Sequence, residues 1–561
     1  MTQSRAPHST NAWVLIPARG GSVGIPRKNL RLLGGIPLIA HTIRTSLSVL
    51  PPSQVIVVTD DDEIATVAEQ WGATVFLETE RTPPEETLDT KIIRNLVRLR
   101  DLGAESHDVV MTVQPTSPLI KAATLHEGLA RFDTATVSSV VSVADDRHLR
   151  WQLNASGEAV PAFDARVNRQ QLPPEFRETG GVIAARLGDI ETAGTRVISP
   201  VSILQVADDE AVDIDTYADL YVAAHLLSRK RIAIRVDAST TLGMGHVYRM
   251  LAFVSELARH DIRIYLSDSL PLGQQFFSRY PYRFETVKDH ADFHAHLQAW
   301  QPDLIVLDML DTEATEVRAL RAAAAKAQVI TFEDRGSGAN EADLLVAEFI
   351  ENKAVPEDKQ LTGIDYALLS PSFEVGGTQP ARSLDRVSNV LVLFGGTDPS
   401  HLAERALASL AHADYSATVT VVRGLGAAPL DVPESLPYQL EIHENVTNMP
   451  ALMSHADLAF TSAGRTIVEL ISCGVPSICL AQNEKELTHS HATADNGVLF
   501  LGLGTSVTDD DLDRATASML EDQRMRAQFA ERARAAGARR SNRRTISTIL
   551  SRVGFDDFPD I

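Results

Sequence analysis

Residues Trp13 to Leu30 read WVLIPARGGSVGIPRKNL, and the fold of the first part of the chain follows from how that stretch changes character. Val14, Leu15 and Ile16 form a short apolar run of the kind buried inside a sheet, and Pro17 ends it because proline has no N–H to give to a ladder. Gly20, Gly21 and Gly24 then fall in a loop, Ala18 to Ile25, where the missing Cβ atoms let backbone N–H groups close on an anion. Arg19, Arg27 and Lys28 add charge that N–H groups alone do not supply. The spacing is neither a Walker loop, which needs a Gly-Lys-Ser/Thr ending, nor the GxGxxG dinucleotide pattern. A phosphate held by a different kind of glycine turn is the expectation.

Outward from that loop, apolar runs and helical periods alternate: Val14–Pro17, a helical pattern from Pro37 to Leu50, Gln54–Thr59, a helix over Asp62–Trp71 and a strand at Thr74–Leu77. That order predicts a mostly parallel sheet with helices on both faces and ligands at the carboxyl ends of its strands. Asp60, Asp61 and Asp62 follow one such end and are expected to cap the next helix. After the strand Val109–Val113, Gln114-Pro115-Thr116-Ser117-Pro118-Leu119 makes a loop stiffened by two prolines. The Gln114 amide there offers a donor and an acceptor, as reading a base or a sugar requires. Arg166, Arg169 and Arg177 surround Gln170 in a segment of little periodicity, and clustered guanidinium groups suit a carboxylate. Asp213 and Asp215, two apart in an extended segment, point both carboxylates to one side, where phosphates and water would complete a magnesium site. The competing reading is that Asp215 caps the helix starting at Thr216.

Taken together these phrases resemble the acylneuraminate cytidylyltransferases. Ala18 to Asn29 is similar to the family's first loop, with Arg19, Ser22, Lys28 and Asn29 matching and Val23 standing where the family usually has lysine. Gln114 to Leu119 matches a loop beside the nucleotide, and Asp213 to Thr216 matches the metal motif. The arginine segment is similar to one that reaches across a dimer interface, with Thr179-Gly180-Gly181 replacing an Asn-Gly. The resemblance implies a Rossmann-like, glycosyltransferase A-like α/β domain over residues 12–228 that joins CTP to a nonulosonic acid and releases pyrophosphate. It implies catalytic roles for Arg19, Lys28 and Asp215, and nucleotide contacts at Ala18, Gly20, Gly21, Ser22, Asn29 and Gln114. Sugar-acid contacts fall at Arg166, Arg169, Gln170 and Arg177, magnesium on Asp213 and Asp215, and a homodimer forms through this domain.

Beyond the charged hinge Ser228-Arg229-Lys230-Arg231 the pattern restarts. The strand Ile232–Val236 leads to Asp237 and then to Gly243-Met244-Gly245-His246, with Arg249 one turn further on. The glycines allow a tight strand-to-helix turn that sets His246 at a helix start, where the helix N-terminus would keep an imidazole neutral and able to act as a base. Val390–Phe394 followed by Gly395-Gly396-Thr397-Asp398, and Leu458–Thr461 followed by Ser462-Ala463-Gly464, mark two more turns open to phosphate. Glu469, on the next helix, is placed to accept from ribose hydroxyls.

Asp237 to Arg249 resembles the opening motif of the hydrolase that removes UDP from UDP-2,4-diacetamido-2,4,6-trideoxy-β-L-altrose, shared with spore-coat polysaccharide proteins. The resemblance implies a two-lobed glycosyltransferase B-like module, lobes 231–380 and 386–545, with UDP in the second lobe and no metal. His246 would be catalytic, and Asp237, Gly245, Asn483 and Glu484 would lie near the sugar. Ser370-Pro371-Ser372-Phe373 departs from relatives that carry an arginine before the phenylalanine. Hydrolysis leads, since the first lobe shows no amphipathic basic face of the kind that would dock a glycosyltransferase on a membrane; a glycosyltransferase, or a UDP-sugar-binding module without turnover, is the alternative. The arginine- and alanine-rich tail from Asp511 to Ser541 is expected to be helical, to pack, and to fray at its last residues.

Whole-chain properties limit the partners. A chain of 561 residues exceeds one hydrophobic core. Its formal charge of −22 argues against sequence-independent nucleic-acid binding, which needs a cationic surface. Cys473 and Cys479 are the only cysteines, too few for a disulfide framework or a zinc site. Met1 to Asn11 lacks a signal-peptide core and no apolar run approaches the roughly 18 residues of a membrane span, so a cytoplasmic protein without a membrane partner is expected.

Overall fold

The computed structural model describes residues 11–555 except 22–23, 80–85, 134–135, 240–243, 310, 376–385, 396–397, 425–428, 433–434, 445 and 447. The chain divides into two compact units, Met1–Arg229 and Lys230–Ile561.

In the first unit seven strands form one sheet: β1 (Ala12–Pro17), β2 (Val55–Thr59), β3 (Thr74–Leu77), β4 (Val109–Val113), β5 (Ser139–Asp145), β6 (Phe176–Arg186) and β7 (Val201–Gln205). Their order is β7-β5-β6-β4-β1-β2-β3. β6 runs antiparallel to both neighbours and the other pairs are parallel. β1, β2 and β4 are buried on both faces, which is why they read as unbroken apolar runs. Val14, Ile16 and Val57 serve one core, and Leu15, Ile56 and Val58 serve the other. The chain moves from β1 to β2 and β3 on one side, then returns to place β4 on the other side of β1. The loops after β1 and β4 therefore flank a topological switch point, where an open parallel sheet leaves a crevice.

Two expectations change here. The arginine segment is not irregular throughout, because Arg177 belongs to the eleven-residue strand β6, whose pairing with β5 shifts register between Glu178 and Ile183. The helix Tyr217–Leu227 is capped by Thr216 with Asp219 in a capping box, not by Asp215.

The second unit holds two sheets of parallel strands. The first contains β8 (Arg231–Val236), β9 (Asp261–Ser267), β10 (Phe284–Val287), β11 (Leu304–Asp308), β12 (Gln328–Phe332), β13 (Leu344–Ala347) and β14 (Gln360–Thr362), in the order β10-β9-β8-β11-β12-β13-β14. The second contains β15 (Asn389–Leu393), β16 (Thr418–Arg423), β17 (Gln439–Glu444), β18 (Leu458–Thr461), β19 (Ser477–Ala481) and β20 (Val498–Leu503), in the order β17-β16-β15-β18-β19-β20. Each has its own switch point, between β8 and β11 and between β15 and β18.

The expected helical tail is present as Asp509–Glu521 and Gln523–Ala538, but it does not fray, because a third helix, Asn542–Arg552, follows. The last returns to the first of these two sheets: Ile546, Ile549 and Leu550 join the core that holds Ile232, Ile234 and Leu344. Buried Asn542 fixes it by accepting from Leu369 N–H at 3.0 Å and donating to the Leu369 carbonyl at 2.6 Å.

Candidate functional site

In the first unit four sequence-distant segments meet at the β1/β4 switch point. The glycine loop is docked by backbone: a Cβ on Gly24 would lie 2.4 Å from the Asp215 carbonyl oxygen, so only glycine permits this approach. Lys28 Nζ donates to the Ile214 carbonyl at 2.6 Å and to Asp215 Oδ1 at 3.0 Å. Ile214 N–H in turn donates to the Thr116 carbonyl at 2.8 Å. Gly180, at a φ of 68° in the register shift of β6, packs so closely that a Cβ would lie 2.8 Å from Gln114 Nε2. Buried Asn29 donates to the Arg19 carbonyl at 3.1 Å and holds the loop shut, while the Arg19 side chain is exposed.

Asp213 is the inner carboxylate. Burial raises its carboxyl, the Thr116 hydrogen bond opposes that, Asp215 adds to it, and Lys28 and Arg177 pull it down. Its Oδ1 is buried without a hydrogen-bond partner. Such an atom, beside a second carboxylate that is 73% exposed, suits a hard cation completed by ligand oxygens. Among the described residues no group of three or more His, Cys, Asp or Glu could hold a metal by itself.

The aspartate run has two jobs. Asp61 caps the helix Asp62–Gln70, as expected, by accepting from Glu63 and Ile64 N–H. Asp60 instead accepts the Gly20 N–H at 2.9 Å, which takes away one donor expected to face an anion. Gly21 is exposed, and a Cβ there would meet nothing within 4 Å. Ala18 is buried and pairs its N–H with the Val58 carbonyl, and Ser22 lies outside the described residues. Arg166, Arg169, Gln170 and Arg177 are all exposed, and Arg177 is the one whose charge reaches Asp213. A cavity of about 700 Å³ is lined by His41, Arg44, Lys121 and Leu227 together with Pro118 and Leu119 from the end of the Gln114 loop, and no residue of the glycine loop, the arginine segment or the Asp213–Asp215 pair lines it.

In the second unit the helix Gly245–Ser255 presents His246 in its first turn. The helix end is not what governs the ring. His246 Nδ1 lies 2.7 Å from Oδ1 of Asp308, a fully buried residue at the end of β11, so the pair spans the β8/β11 switch point. Burial would raise the Asp308 carboxyl, but Arg249 and His246 hold it down at about 2. An ionised Asp308 can only accept, so the proton on that edge sits on Nδ1 and Nε2 is the nitrogen left for a ligand. Arg249 Nη2, 3.3 Å from Nδ1, is a neighbour of that nitrogen and not its donor. Asp237 Oδ1 is engaged by Arg235 at 2.7 Å and by Ser267 N–H at 2.9 Å.

The turns of the second sheet are partly filled by the chain's own carboxylates. Asp398 accepts from Leu402 and Ala403 N–H, at the start of the helix Leu402–His412, and from Gln482. Gly395, at a φ of 79°, is exposed beside it, and Gly396 and Thr397 lie outside the described residues. In the Ser462-Ala463-Gly464 turn the Ala463 N–H goes to Glu486 at 3.1 Å. Asn483 caps the short helix Glu484–Leu487 and Glu484 is exposed, so Glu486 is the residue of that run turned to the turn. Half-buried Glu469 has its carboxyl pushed by burial up to about 7 against the pull of Arg465 and Arg540. Asp308, Glu333, Glu348, Arg465 and Glu486 escaped the sequence reading; the first three share one signal, an acid at the end of an apolar strand.

Residues 13–164 match the family described as Cytidylyltransferase. The first unit carries a cytidylyltransferase domain. The chain is 32% identical over 221 residues to N-acylneuraminate cytidylyltransferase B of Danio rerio, covering 38% of this chain and 51% of that protein. It is 25% identical over 298 residues to Spore coat polysaccharide biosynthesis protein SpsG of Bacillus subtilis, covering 50% of this chain and 86% of that protein. The solved CMP:2-keto-3-deoxy-manno-octonic acid synthetase complexed with CTP aligns over 39% of this chain and 98% of its own, at 18% identity and a TM-score of 0.31. The chain spans about half the length of the curated cytidylyltransferases it matches. Among the described residues no helix is long and apolar enough to cross a membrane.

Proposed function

We propose that the first unit transfers CMP from CTP to the anomeric hydroxyl of a nonulosonic acid, with release of pyrophosphate. The observation that carries this is the docking of the glycine loop on Asp215, with Lys28 bridging the two, which gives one triphosphate access to cations and acids together. Asp213 and Asp215 would hold a magnesium ion, which when bound supplies positive charge to the reacting phosphates. Lys28 leaves Asp215 for the departing pyrophosphate, where Arg19 joins it. Gln114 reads the base or sugar, and Arg166, Arg169, Gln170 and Arg177 converge on the carboxylate of the acid. A hairpin of Trp151–Leu153 with Ala159–Pro161 exposes Trp151 by 59% and Leu153 by 72%, apolar surface that a second copy would cover in a homodimer. The test is pyrophosphate release from CTP and magnesium across a panel of sugar acids; no release with any nine-carbon 2-keto acid would remove the reading.

The second unit fits a nucleotide sugar held between two sheets, with His246 Nε2 taking the proton of an attacking hydroxyl while Asp308 fixes the ring. With a sugar acceptor this is glycosyl transfer, the form we favour. Hydrolysis of a UDP-diacetamido-trideoxy-hexose is the same displacement by water. Ser462, Ala463, Gly464, Gly395 and Glu469 would receive UDP, and Asp237 and Gly245 would face the sugar. Incubating the full chain with a UDP-sugar separates these forms: UDP appearing only with an acceptor means transfer, UDP without one means hydrolysis, and saturable binding without UDP means a binding module.

A further inference from the structure

The contacts around His246 do not end at Asp308. Arg249 grips Asp308 through Nε and Nη2, at 2.8 and 2.6 Å, and reaches Glu348 through Nη1 at 3.1 Å. Glu348 follows β13, is fully buried, and accepts from Leu368 N–H at 3.1 Å and from Arg465. Arg465 opens the helix Arg465–Ser472 directly after the Ser462-Ala463-Gly464 turn and donates to the Leu368 carbonyl. A Cβ on Gly245 would lie 3.9 Å from Arg465 Nε, so this guanidinium sits at the start of the helix that bears His246. Five side chains thus form an unbroken series from the turn of one sheet to the imidazole of the other.

We infer that Glu348 is a positioning residue that couples occupancy of the Ser462-Ala463-Gly464 turn to His246, by sharing Arg465 with a bound diphosphate. The inference rests on the nucleotide-sugar reading of this unit. Its physics is competition in a medium where charges are poorly screened. A phosphate at the turn draws Arg465, which leaves Arg249 as the remaining cation on Glu348. Arg249 then leans toward Glu348 and away from Asp308, and Asp308 turns more fully to the Nδ1–H of His246. Any such coupling is reciprocal, so groups at the imidazole end must also tune diphosphate affinity. Glu333 faces the same cluster. Its backbone sits at a φ of 53°, its carboxyl accepts from Phe349 N–H at 3.1 Å, and Arg249, Glu348 and Arg465 all act on it.

The experiment titrates UDP into the full chain, with CMP in excess to fill the first unit, and follows the His246 ring by NMR with labelled histidine. Glu348→Gln keeps the shape and removes the charge. UDP affinity is expected to change at least about fivefold in that variant, and Asp308→Asn to change it in the native background but not beside Glu348→Gln. The ring signal that moves with UDP in the native chain is expected to stay put in Glu348→Gln even when UDP is bound. Additive effects of the two substitutions, or a ring shift that survives Glu348→Gln, overturn the inference. If Asp308→Asn fails to fold, His246→Gln takes its place in the cycle under the same criteria. Loss of the ring shift in Glu333→Gln as complete as in Glu348→Gln would give the role to Glu333 and overturn it for Glu348. Absence of UDP binding to the native chain removes the nucleotide-sugar reading itself, and the coupling with it.

Discussion

Lys28 and Asp215 meet at 3.0 Å with the Asp215 side chain 73% exposed, whereas Arg249, Asp308 and Glu348 meet with 3%, 0% and 0% of their side chains exposed. The two sites solve the same problem, placing charge at a sheet's switch point, in opposite ways. In the first unit position is set by backbone, because Gly24 lies on the Asp215 carbonyl and Gly180 on the Gln114 amide, and the Asp215 carboxylate stays in water while the Lys28 side chain is 12% exposed. In the second unit the charges are themselves the framework. The lesson is that loss of a charge should cost the first site activity and no stability, and should cost the second site both.

The sharpest way to break that contrast is Asp215→Ala. Pyrophosphate release is expected to fall by about a thousandfold while the first unit's thermal transition stays where it was; retained activity would end the metal assignment, and a lost transition would end the contrast. Glu348→Ala is the counterpart. Removing one partner of a buried ion group is expected to cost about 3–5 kcal/mol, read as a lower denaturant midpoint for the second unit alone. A smaller effect follows from the backbone docking. Gly24→Ala is expected to cost about 1–3 kcal/mol and to weaken CTP binding, whereas Gly21→Ala, with open space around its Cβ, should stay within about 0.5 kcal/mol. Equal tolerance at both positions would mean that the loop shifts freely off Asp215.

The smallest effect is in pH. Burial pushes the Glu333 carboxyl up to about 7 against the pull of Arg249, and Glu469 is held at about the same value. A raised carboxyl contributes stability below its unfolded value, and that contribution is lost as pH rises through the folded one. Asp308, held down at about 2, works the other way and loses its contribution only in strong acid. Between about pH 5 and about pH 8 these two carboxyls should therefore lower the second unit's unfolding temperature by a few degrees, opposed by buried His491, which burial holds down at about 3, so the effect is read as the difference between the Glu333→Gln and native profiles. Native and Glu333→Gln profiles that run parallel would show that water reaches the Glu333 carboxyl.

How far the sequence went depends on which of these designs a residue serves. The glycine loop, Gln114 to Leu119 and Asp213 to Thr216 were legible because backbone docking forces particular residues into contiguous phrases. β6 was not, since its register shift at Thr179 to Val182 breaks the alternation that marks a strand. Asp308, Glu333 and Glu348 were invisible for another reason: each sits at the end of a different apolar strand, and only the strand order β11-β12-β13 brings them together. Asp60 was misjudged because one residue separates a helix cap from a loop clamp.

The helix Asn542–Arg552 closes a core whose first strand begins at Arg231. A ribosome must therefore deliver that entire sheet, and then the whole of the next, before Ile546 and Ile549 emerge to cover the remaining side. The first unit can settle during synthesis, but the lobe carrying His246 waits with sticky surface showing, a natural client for chaperones. Fragments cut ahead of Asn542 inherit that condition permanently, which argues for producing the second unit with its final helix attached.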